Sequence, residues 1–367
     1  GKLPSFLHLS LPLFPDLLPF WSGWLPASTV GSDSAPWSDT VPHSKPSPTN
    51  TIQRHNSHTC DTTTMADTPN QGSTPFKLPE VWKDKPREGI WGKLNQPTAG
   101  AREKKELPRG KHALQLYSLA TPNGAKAGIF LEELYDAYGL EYDAWLIHIA
   151  QGDQFTSGFV GANPNSKIPA LLHYDAKDTK KQPIRVFESA SILLYIADNF
   201  DKDNKFLPAD PQGRTEVISW LFWQIGSAPY LGSGGFNHFF SAKDKIESAI
   251  DKYTLEVKRQ FDVLERHLSG KDGAKGGPFI LGEKFTIADI AIWPWYGRKA
   301  LEESAAAKFL DIKKSYPHVI AWAKRVSERP AVIRGQRVNK VWGPKEEQLK
   351  ERHNASDFQK PEPETTN

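Results

Sequence analysis

Cysteine is almost missing from this sequence of 367 residues, and its scarcity excludes several kinds of chemistry. The one cysteine, Cys60, cannot form a disulfide within the chain, and it cannot supply a zinc site of two or four thiolates. A redox centre of the Cys-x-x-Cys type is excluded for the same reason. Any thiol chemistry carried out by this protein would therefore need a thiol brought in by a ligand.

An excess of charge of one sign and long apolar runs are also lacking. The 46 basic and 43 acidic residues leave a net charge of +3, which gives no support to a nucleic-acid partner. No segment approaches the roughly 20 uninterrupted apolar residues of a membrane-spanning helix, so we expect no membrane partner. His148, His173 and His238 lack the spacing of metal ligands, and we expect no metal. The expected location is the cytoplasm.

The first 64 residues differ in composition from the rest of the chain. They contain nine prolines and ten serines, and prolines interrupt their only apolar stretch. A proline inside a helix costs about 3 kcal/mol, so a regular helix is not expected there. The segment fits neither a signal peptide nor a mitochondrial presequence, and Met65 begins a plausible soluble protein. We expect residues 1–64 to be a translated leader or a disordered extension.

The remaining chain divides into four predicted segments that differ in composition and in hydrophobic pattern. Residues 65–111 are polar and rich in proline and glycine, which is typical of an extended arm. Residues 112–205 mix strand and helix patterns and predict an α/β domain. Residues 210–337 show helix-period patterns alone and predict an all-helical domain. Residues 338–367 form a charged tail. The predicted fold class is α/β plus all-α.

Individual elements follow from the apolar spacing. Strand-like runs in the α/β domain cover Ala113–Leu119, Tyr142–Ile149, Pro169–His173 and Ile184–Phe187, and helical runs cover Ala125–Tyr138 and Ser189–Asn199. Predicted helices of the second domain are Arg214–Ile225, Asp244–Leu268, Ala288–Leu301 and Tyr316–Ser327. Thr286 and Asp289 have the spacing of a capping box, which predicts a structural role in starting the third of these helices.

A proline entering a strand marks the first candidate binding feature. The sequence Ser166-Lys167-Ile168-Pro169-Ala170 suits a cis bond before Pro169, which costs only about 0.5–1 kcal/mol before proline. In such a turn the backbone of Ile168 could face outward and pair with an extended peptide. An ordinary trans proline entering an edge strand is the alternative.

A serine at the start of a helix marks the second feature. Ser189 is a good N-cap for a helix beginning near Ala190, where exposed amides favour a carboxylate. Glu188, immediately before it, could hold an ammonium group. The pair would match a ligand that carries an α-amino and an α-carboxylate group on one carbon. A simple capping serine with a surface glutamate is the alternative.

The turn Thr121-Pro122-Asn123-Gly124, between the first strand and the first helix, is the third feature. Donors there, from Thr121, Asn123 or the backbone, could stabilise a developing thiolate. A thiol of pKa about 8.5 is only slightly ionised at neutral pH, so lowering that pKa is the catalytic task. The alternative is a helix-initiating turn that Asn123 caps. In a thioredoxin-like unit the three features meet at one edge, and together they favour a thiol tripeptide.

At this point the sequence resembles a known family. Residues 89–358 resemble glutathione transferases, closely those of the bacterial Nu class and the related fungal nitrogen-catabolite-repression regulator. The matching stretches are Leu114–Gly124, Tyr142–Trp145, Gly152–Gly158, Asn163–Leu171, Val186–Ser191, Trp220–Trp223, Phe285–Trp295 and Glu351–Phe358. The resemblance implies an N-terminal thioredoxin-like domain, an all-helical C-terminal domain and a homodimer that binds glutathione.

The resemblance also implies roles for individual residues. Thr121 and Asn123 would be catalytic and would contact the glutathione sulfur. The residues that would hold the tripeptide are Asn95, Gln154, Lys167, Ile168, Glu188 and Ser189. Lys167 has a physical reason as well, since glutathione is anionic at neutral pH. Nu-class proteins resemble disulfide-bond reductases that bind two glutathiones per site, which fits a chain without a paired cysteine.

Alternatives remain open at this stage. The second substrate could be a small disulfide, an organic hydroperoxide or an electrophile. Tyr117 could serve as a catalytic acid, although strand packing is its simpler role. A non-catalytic regulator that binds a transcription factor is the opposing function class. A subunit of the translation elongation complex would require a further C-terminal domain.

Overall fold

The computed structural model describes residues 77–85, 94–175 and 181–359. The predicted leader or extension, residues 1–64, lies outside the described residues. All of the elements below belong to the unit Pro79–Asn367. They form a small sheet with helices, followed by a series of helices, and the predicted fold class is confirmed.

The α/β part contains four strands and three helices. In chain order they are β1 (Leu114–Ser118), α1 (Pro122–Tyr138), β2 (Asp143–Leu146), α2 (Ser157–Ala162), β3 (Ala170–His173), β4 (Ile184–Phe187) and α3 (Ser189–Phe200). The strand order is β2-β1-β3-β4. β1 pairs with β2 in parallel, as expected when a helix connects two strands, and the other pairs are antiparallel. The carboxyl end of β1 therefore leads directly into α1.

The helical part follows without a strand in its described residues. It contains α4 (Pro211–Leu231), α5 (Phe236–Ser241), α6 (Glu247–Leu268), α7 (Ile287–Ile292), a π-helical turn (Trp293–Gly297), α8 (Arg298–Leu301), α9 (Ala305–Phe309), α10 (Ile312–Ser315), α11 (Pro317–Ser327) and α12 (Pro330–Gly335). Short 3₁₀ helices cover Asp153–Phe155, Lys345–Glu347 and Ala355–Gln359.

The predicted elements differ from the observed ones mainly at their ends. α1 begins at Pro122 rather than Ala125, because Thr121 caps it and proline is well suited to the first helical position. The predicted helix Ala288–Leu301 is helical throughout but contains the π-helical turn. Pro294 lies in that turn, and it has no N–H to donate to a regular α-helical ladder. Several helices of four to six residues were not predicted, since they are too short to show a helical period.

The predicted capping box is present at the start of α7. The Thr286 hydroxyl accepts a hydrogen bond from the Ala288 N–H at 3.2 Å, and the Thr286 N–H donates to Asp289 Oδ2 at 3.0 Å. Asp289 Oδ1 also accepts from the Ile280 N–H and from Trp322 Nε1, each at 2.9 Å. This buried carboxylate therefore joins α7 to α11 and to the loop that precedes α7.

α1 lies against α12 with backbone touching backbone. A Cβ atom added to Gly128 would lie 2.7 Å from the Gly335 carbonyl oxygen, and one added to Gly335 would lie 2.4 Å from Ile129 Cα. Real Cβ atoms do not approach so closely. The two helices therefore cross at a pair of glycines, and no side chain separates them.

The tail after α12 returns to the α/β part. Ala144 in β2 and Arg352 exchange backbone hydrogen bonds of 2.7 and 3.1 Å. The Arg352 side chain is fully buried; it donates to Glu132 Oε1 at 3.2 Å and to the Tyr142 carbonyl at 2.8 Å, and it contacts Glu141. The tail thus covers the edge of the sheet at β2.

Candidate functional site

The turn between β1 and α1 presents Thr121 and Asn123, the two predicted catalytic residues. Thr121, not Asn123, caps the helix, and its Oγ1 accepts a hydrogen bond from the Gly124 N–H at 3.3 Å. The Thr121 hydroxyl hydrogen is not used in that bond. Asn123 Oδ1 instead accepts a hydrogen bond of 2.9 Å from Trp295 Nε1, in the π-helical turn of the helical domain. The helix start is therefore tied to the second domain.

Trp295 is held in place by its helical turn and by the packing of its ring. It lies in the π-helical turn Trp293–Gly297, a type of helical irregularity that is frequent at functional sites. Its ring packs against Gly232, where an added Cβ would come within 2.8 Å of ring atom Cζ3. Because Asn123 Oδ1 accepts the hydrogen bond from the Trp295 indole, the side-chain amide is held in one orientation, and its Nδ2 group remains able to donate. No partner for Nδ2 occurs within the described ranges.

The segment before β3 contains one of the two forms that the sequence leaves open at Pro169. The Ile168–Pro169 bond is cis, and Asn163 Nδ2 donates to the Lys167 carbonyl at 2.5 Å. The Lys167 ammonium contacts Asn95 Oδ1 and donates to the Leu94 carbonyl at 3.5 Å. Burial lowers the pKa of Lys167. Two predicted ligand-binding residues, Asn95 on the arm and Lys167, therefore meet at one point.

Glu188 and Ser189 stand at the start of α3. Glu188 has φ +68°, a conformation that is uncommon outside glycine and that occurs often at functional sites. Its Oε1 accepts a hydrogen bond from Asn165 Nδ2 at 3.4 Å, which links it to the segment before β3. The prediction that Ser189 caps α3 is wrong. Ser189 is the first helical residue, and its hydroxyl accepts instead from the buried Lys126 Nζ at 3.1 Å.

Gln154 and Tyr117 complete the set of predicted candidates. Gln154 is buried in the 3₁₀ helix Asp153–Phe155, and its Nε2 donates to the Ile149 carbonyl at 3.2 Å. Tyr117 is fully buried in β1, and its hydroxyl donates to the Pro108 carbonyl at 2.7 Å. Burial raises the pKa of Tyr117. This burial and this hydrogen bond favour strand packing as the role of Tyr117.

Three residues in contact with these candidates were not predicted to act. Trp295 was noted only as part of a family motif, and Lys126 lies two residues beyond the turn motif that ends at Gly124. Gln224, on α4, accepts a hydrogen bond from Lys126 Nζ at 2.5 Å. Their contacts join residues 63 to 172 positions apart, so no local sequence pattern reveals them. A lysine inside an apolar helical run is the one signal that sequence reading could have used.

The described residues contain neither a metal-site cluster nor a membrane-spanning helix. No group of three or more histidine, cysteine, aspartate or glutamate side chains among them has the arrangement of a metal site. No helix in the described ranges combines the length and the apolar character needed to cross a membrane.

A wider cleft lies between α4 and α6. It has a volume of about 720 Å³ and is lined mainly by polar and aromatic side chains, among them Tyr230, Lys252, Tyr253 and Arg259. Of the aromatic residues between Trp220 and Phe240, Trp220 and Phe236 are buried, whereas Phe222 and Tyr230 are exposed. Tyr230 in this cleft stands two residues before Gly232, which touches the ring of Trp295.

Comparison with known proteins gives matches over up to 77% of this chain. A family model described as "Glutathione S-transferase, C-terminal domain" matches residues 247–325. The disulfide-bond oxidoreductase YghU of Escherichia coli (strain K12) is 54% identical over 289 residues, which cover 77% of this chain and 95% of YghU.

Solved structures agree with the sequence matches. A glutathione transferase YghU from Streptococcus pneumoniae, in complex with glutathione, is 49% identical with a TM-score of 0.65, over 72% of this chain and 98% of that one. A glutathione transferase family member from Pseudomonas fluorescens, with two glutathione bound, is 38% identical with a TM-score of 0.53, over 61% and 92% of the two chains. With this fold, this level of identity and this coverage, the chain belongs to the Nu class of the glutathione transferase superfamily of enzymes.

Proposed function

We propose that this protein is a glutathione-dependent disulfide-bond reductase in which Asn123 stabilises the glutathione thiolate. The observation that carries this proposal is the hydrogen bond from Trp295 Nε1 to Asn123 Oδ1, at 2.9 Å. It leaves Nδ2, beside the positive end of α1, as a donor held ready for a sulfur anion. Thr121, whose hydroxyl hydrogen is uncommitted to its cap, is a second donor at the same turn.

The remaining residues supply a place for the rest of the tripeptide. Glu188 and Ser189 would hold the amino and carboxylate groups of the γ-glutamyl end, and the Ile168 backbone would pair with the cysteinyl backbone. Lys167, in contact with Asn95, would supply positive charge to the second carboxylate of glutathione, that of its glycine. Gln154 would complete this set from its 3₁₀ helix.

Two glutathione molecules would bind at each site. Each would supply one sulfur atom to the exchange with the substrate disulfide. The first thiolate attacks one sulfur of the substrate disulfide, forms a mixed disulfide and releases the other substrate sulfur, which takes up a proton. The second thiolate attacks the glutathione sulfur of the mixed disulfide, forms glutathione disulfide and releases the second substrate thiol. Two electrons pass from two glutathiones to the substrate. The support is that Cys60 is the sole cysteine of the chain.

The proposal is tested by reduction of bis(2-hydroxyethyl) disulfide with glutathione and the purified full chain, followed as formation of glutathione disulfide. We expect turnover well above the uncatalysed rate, a large loss in Asn123→Ala and no loss in Cys60→Ser. Tyr117→Phe serves as a matched control, because it removes a buried hydroxyl whose hydrogen bond in the described residues goes to Pro108 on the arm. Glutathione binding without turnover would reject the reductase and would favour the non-catalytic regulator.

Three finer statements, on secondary substrates, location and oligomeric state, belong to the same proposal. Organic hydroperoxides and electrophiles would be secondary substrates, bound in the cleft between α4 and α6. The protein would work in the cytoplasm and as a homodimer. Exposed apolar side chains on α4 and α6 support the dimer, notably Phe222 and Leu255, which are 71% and 73% exposed in the single chain. Size-exclusion chromatography with light scattering measures the mass in solution, and a monomeric mass would contradict the dimer.

A further inference from the structure

Lys126 is a fully buried lysine at the meeting point of three helices. It lies on α1, one turn after Asn123 and on the same side of the helix. Its Nζ donates to Ser189 Oγ at 3.1 Å, at the start of α3, and to Gln224 Oε1 at 2.5 Å, on α4. The side chain thus joins the proposed γ-glutamyl site to the helical domain.

This ammonium makes its hydrogen bonds in the described residues to uncharged groups. Both hydrogen-bond partners, Ser189 and Gln224, are uncharged, and Glu188 acts on it from the start of α3 without a hydrogen bond in the described part of the chain. Burial lowers the pKa of Lys126 to about 7, and Glu188 opposes that effect. A buried lysine without a bonded carboxylate is costly, because the ion loses its hydration. A bound anion would supply the missing charge.

The direction of the hydrogen bond also matters. An ammonium group can only donate, so Ser189 Oγ must accept from Lys126. The hydroxyl hydrogen of Ser189 is then directed elsewhere and is left to donate to a ligand. Gln224 shows the same effect, since its Oε1 is taken by Lys126 while its buried Nε2 has no partner in the described residues. Lys126 therefore fixes the orientation of Ser189 and Gln224. The Ser189 hydroxyl and Gln224 Nε2 each remain able to donate a hydrogen bond.

We propose that Lys126 is a positioning residue for the α-carboxylate of the γ-glutamyl group, acting through the hydroxyl of Ser189 and through its own buried charge. This inference rests on the proposed function, because it requires glutathione to bind with its γ-glutamyl end at Glu188 and Ser189. Lys126 would touch neither the sulfur nor the substrate disulfide. It would act on affinity for the tripeptide, whereas Asn123 would act on the rate.

The test crosses a protein variant with a ligand variant. Lys126→Met keeps most of the side-chain volume and removes the charge, and 4-aminobutyryl-cysteinylglycine is glutathione without that α-carboxylate. Dissociation constants are measured by calorimetry for both ligands on the full chain. We expect Lys126→Met to weaken glutathione binding about ten to one hundred times, as for a lost hydrogen bond to a charged group, and to change binding of the analogue less than about threefold. Turnover at saturating glutathione should stay near that of the unmodified chain.

Gln224→Glu is the second variant, and it decides the matter if Lys126→Met fails to fold. It retains the lysine and the volume of residue 224 but places a carboxylate against the ammonium, so it should also weaken glutathione more than the analogue. Equal losses for both ligands in the folded variants would overturn the inference and leave the proposed function intact. If the unmodified chain binds no glutathione, the proposed function fails and the inference fails with it.

Discussion

Trp295 Nε1 donates a hydrogen bond to Asn123 Oδ1 at 2.9 Å, and this bond joins two residues that lie 172 positions apart in the chain. Trp295 belongs to the helical domain and Asn123 to the first turn of the thioredoxin-like domain. The orientation of the amide that is proposed to meet the thiolate is therefore set by the other domain.

Asn123→Ala should lower turnover more than glutathione affinity. The Nδ2 donor gains importance as negative charge develops on the sulfur, so its loss acts mainly on the transition state. We expect turnover to fall about ten to one hundred times, with a dissociation constant within about threefold of that of the unmodified chain. Steady-state kinetics and calorimetry measure the two quantities. Equal losses in both would mean that Asn123 only binds.

Trp295→Phe should reproduce much of that loss. Phenylalanine keeps a ring against Gly232 but cannot donate to Asn123, whose amide is then free to rotate. We expect turnover to fall about tenfold, and the double variant Asn123→Ala/Trp295→Phe to lose little more than Asn123→Ala alone, because both act through one group. Trp220→Phe is the matched control, since its Nε1 donates to Glu216, away from the site. Additive losses would separate Trp295 from Asn123.

Lys126 should make the stability of the ligand-free protein depend on pH. Burial lowers its pKa from 10.5 to about 7, with Glu188 opposing. Between about pH 7 and pH 10 the unfolded chain therefore holds a proton that the folded chain has lost. The free energy of unfolding should rise with pH in that window, by up to about 1.4 kcal/mol per pH unit from this residue.

Urea denaturation between pH 7 and pH 9 tests this dependence. The difference in free energy of unfolding between Lys126→Met and the unmodified chain should change steadily in favour of the unmodified chain as pH rises. Lys313→Met is the control, because Lys313 is 87% exposed and its difference should stay constant. A constant difference for Lys126→Met as well would contradict a displaced pKa.

Asp289→Ala should be one of the most destabilising single changes in the helical domain. The carboxylate accepts from the Thr286 and Ile280 N–H groups and from Trp322 Nε1, and its removal leaves these buried donors unsatisfied. We expect a loss of about 3 kcal/mol or more in the free energy of unfolding. Asp210→Ala removes the exposed cap of α4 and should cost only about 1 kcal/mol. Similar losses in the two variants, measured in urea, would contradict the prediction.

Arg352→Met should loosen the tail. The guanidinium is fully buried between Glu132, Glu141 and the Tyr142 carbonyl, and its loss removes a partner from the buried carboxylate of Glu132. We expect a loss of about 3 kcal/mol in the free energy of unfolding, together with faster proteolysis after residue 340. Arg266→Met, which breaks an exposed pair with Asp272, should have little effect. Unchanged proteolysis would mean that other contacts of the tail suffice.

Much of the fold could be predicted because it depends on local patterns. β4 begins and ends at the predicted residues. The capping box at Thr286 and Asp289 was predicted from the types of these residues and their spacing. The turn at Asn123 was also predicted from a short motif, whereas the bond before Pro169, which is cis, was left open between cis and trans. The start of α1 was misplaced because Pro122 was read as part of the turn, although proline is well tolerated at the first helical position.

The parts that could not be predicted depend on distant contacts. The spacing around Ser189 indicated a cap, but it gave no sign that Lys126 would approach its hydroxyl from another helix. Likewise, residue order does not reveal that Trp295 meets Asn123, since that contact exists only after the two domains have packed together. The missing information is the set of partners that tertiary packing supplies.

The glycine contact between α1 and α12 has a consequence for how ligands enter. Gly128 and Gly335 bring the two backbones together with no side chain between them, so the helices can slide or part only by leaving an empty gap in a close-packed interior. The space beside the contact between Asn123 and Trp295, where the two domains meet, should therefore keep a constant width when ligands bind. We expect the size limit on substrates to be set by the side chains at its rim.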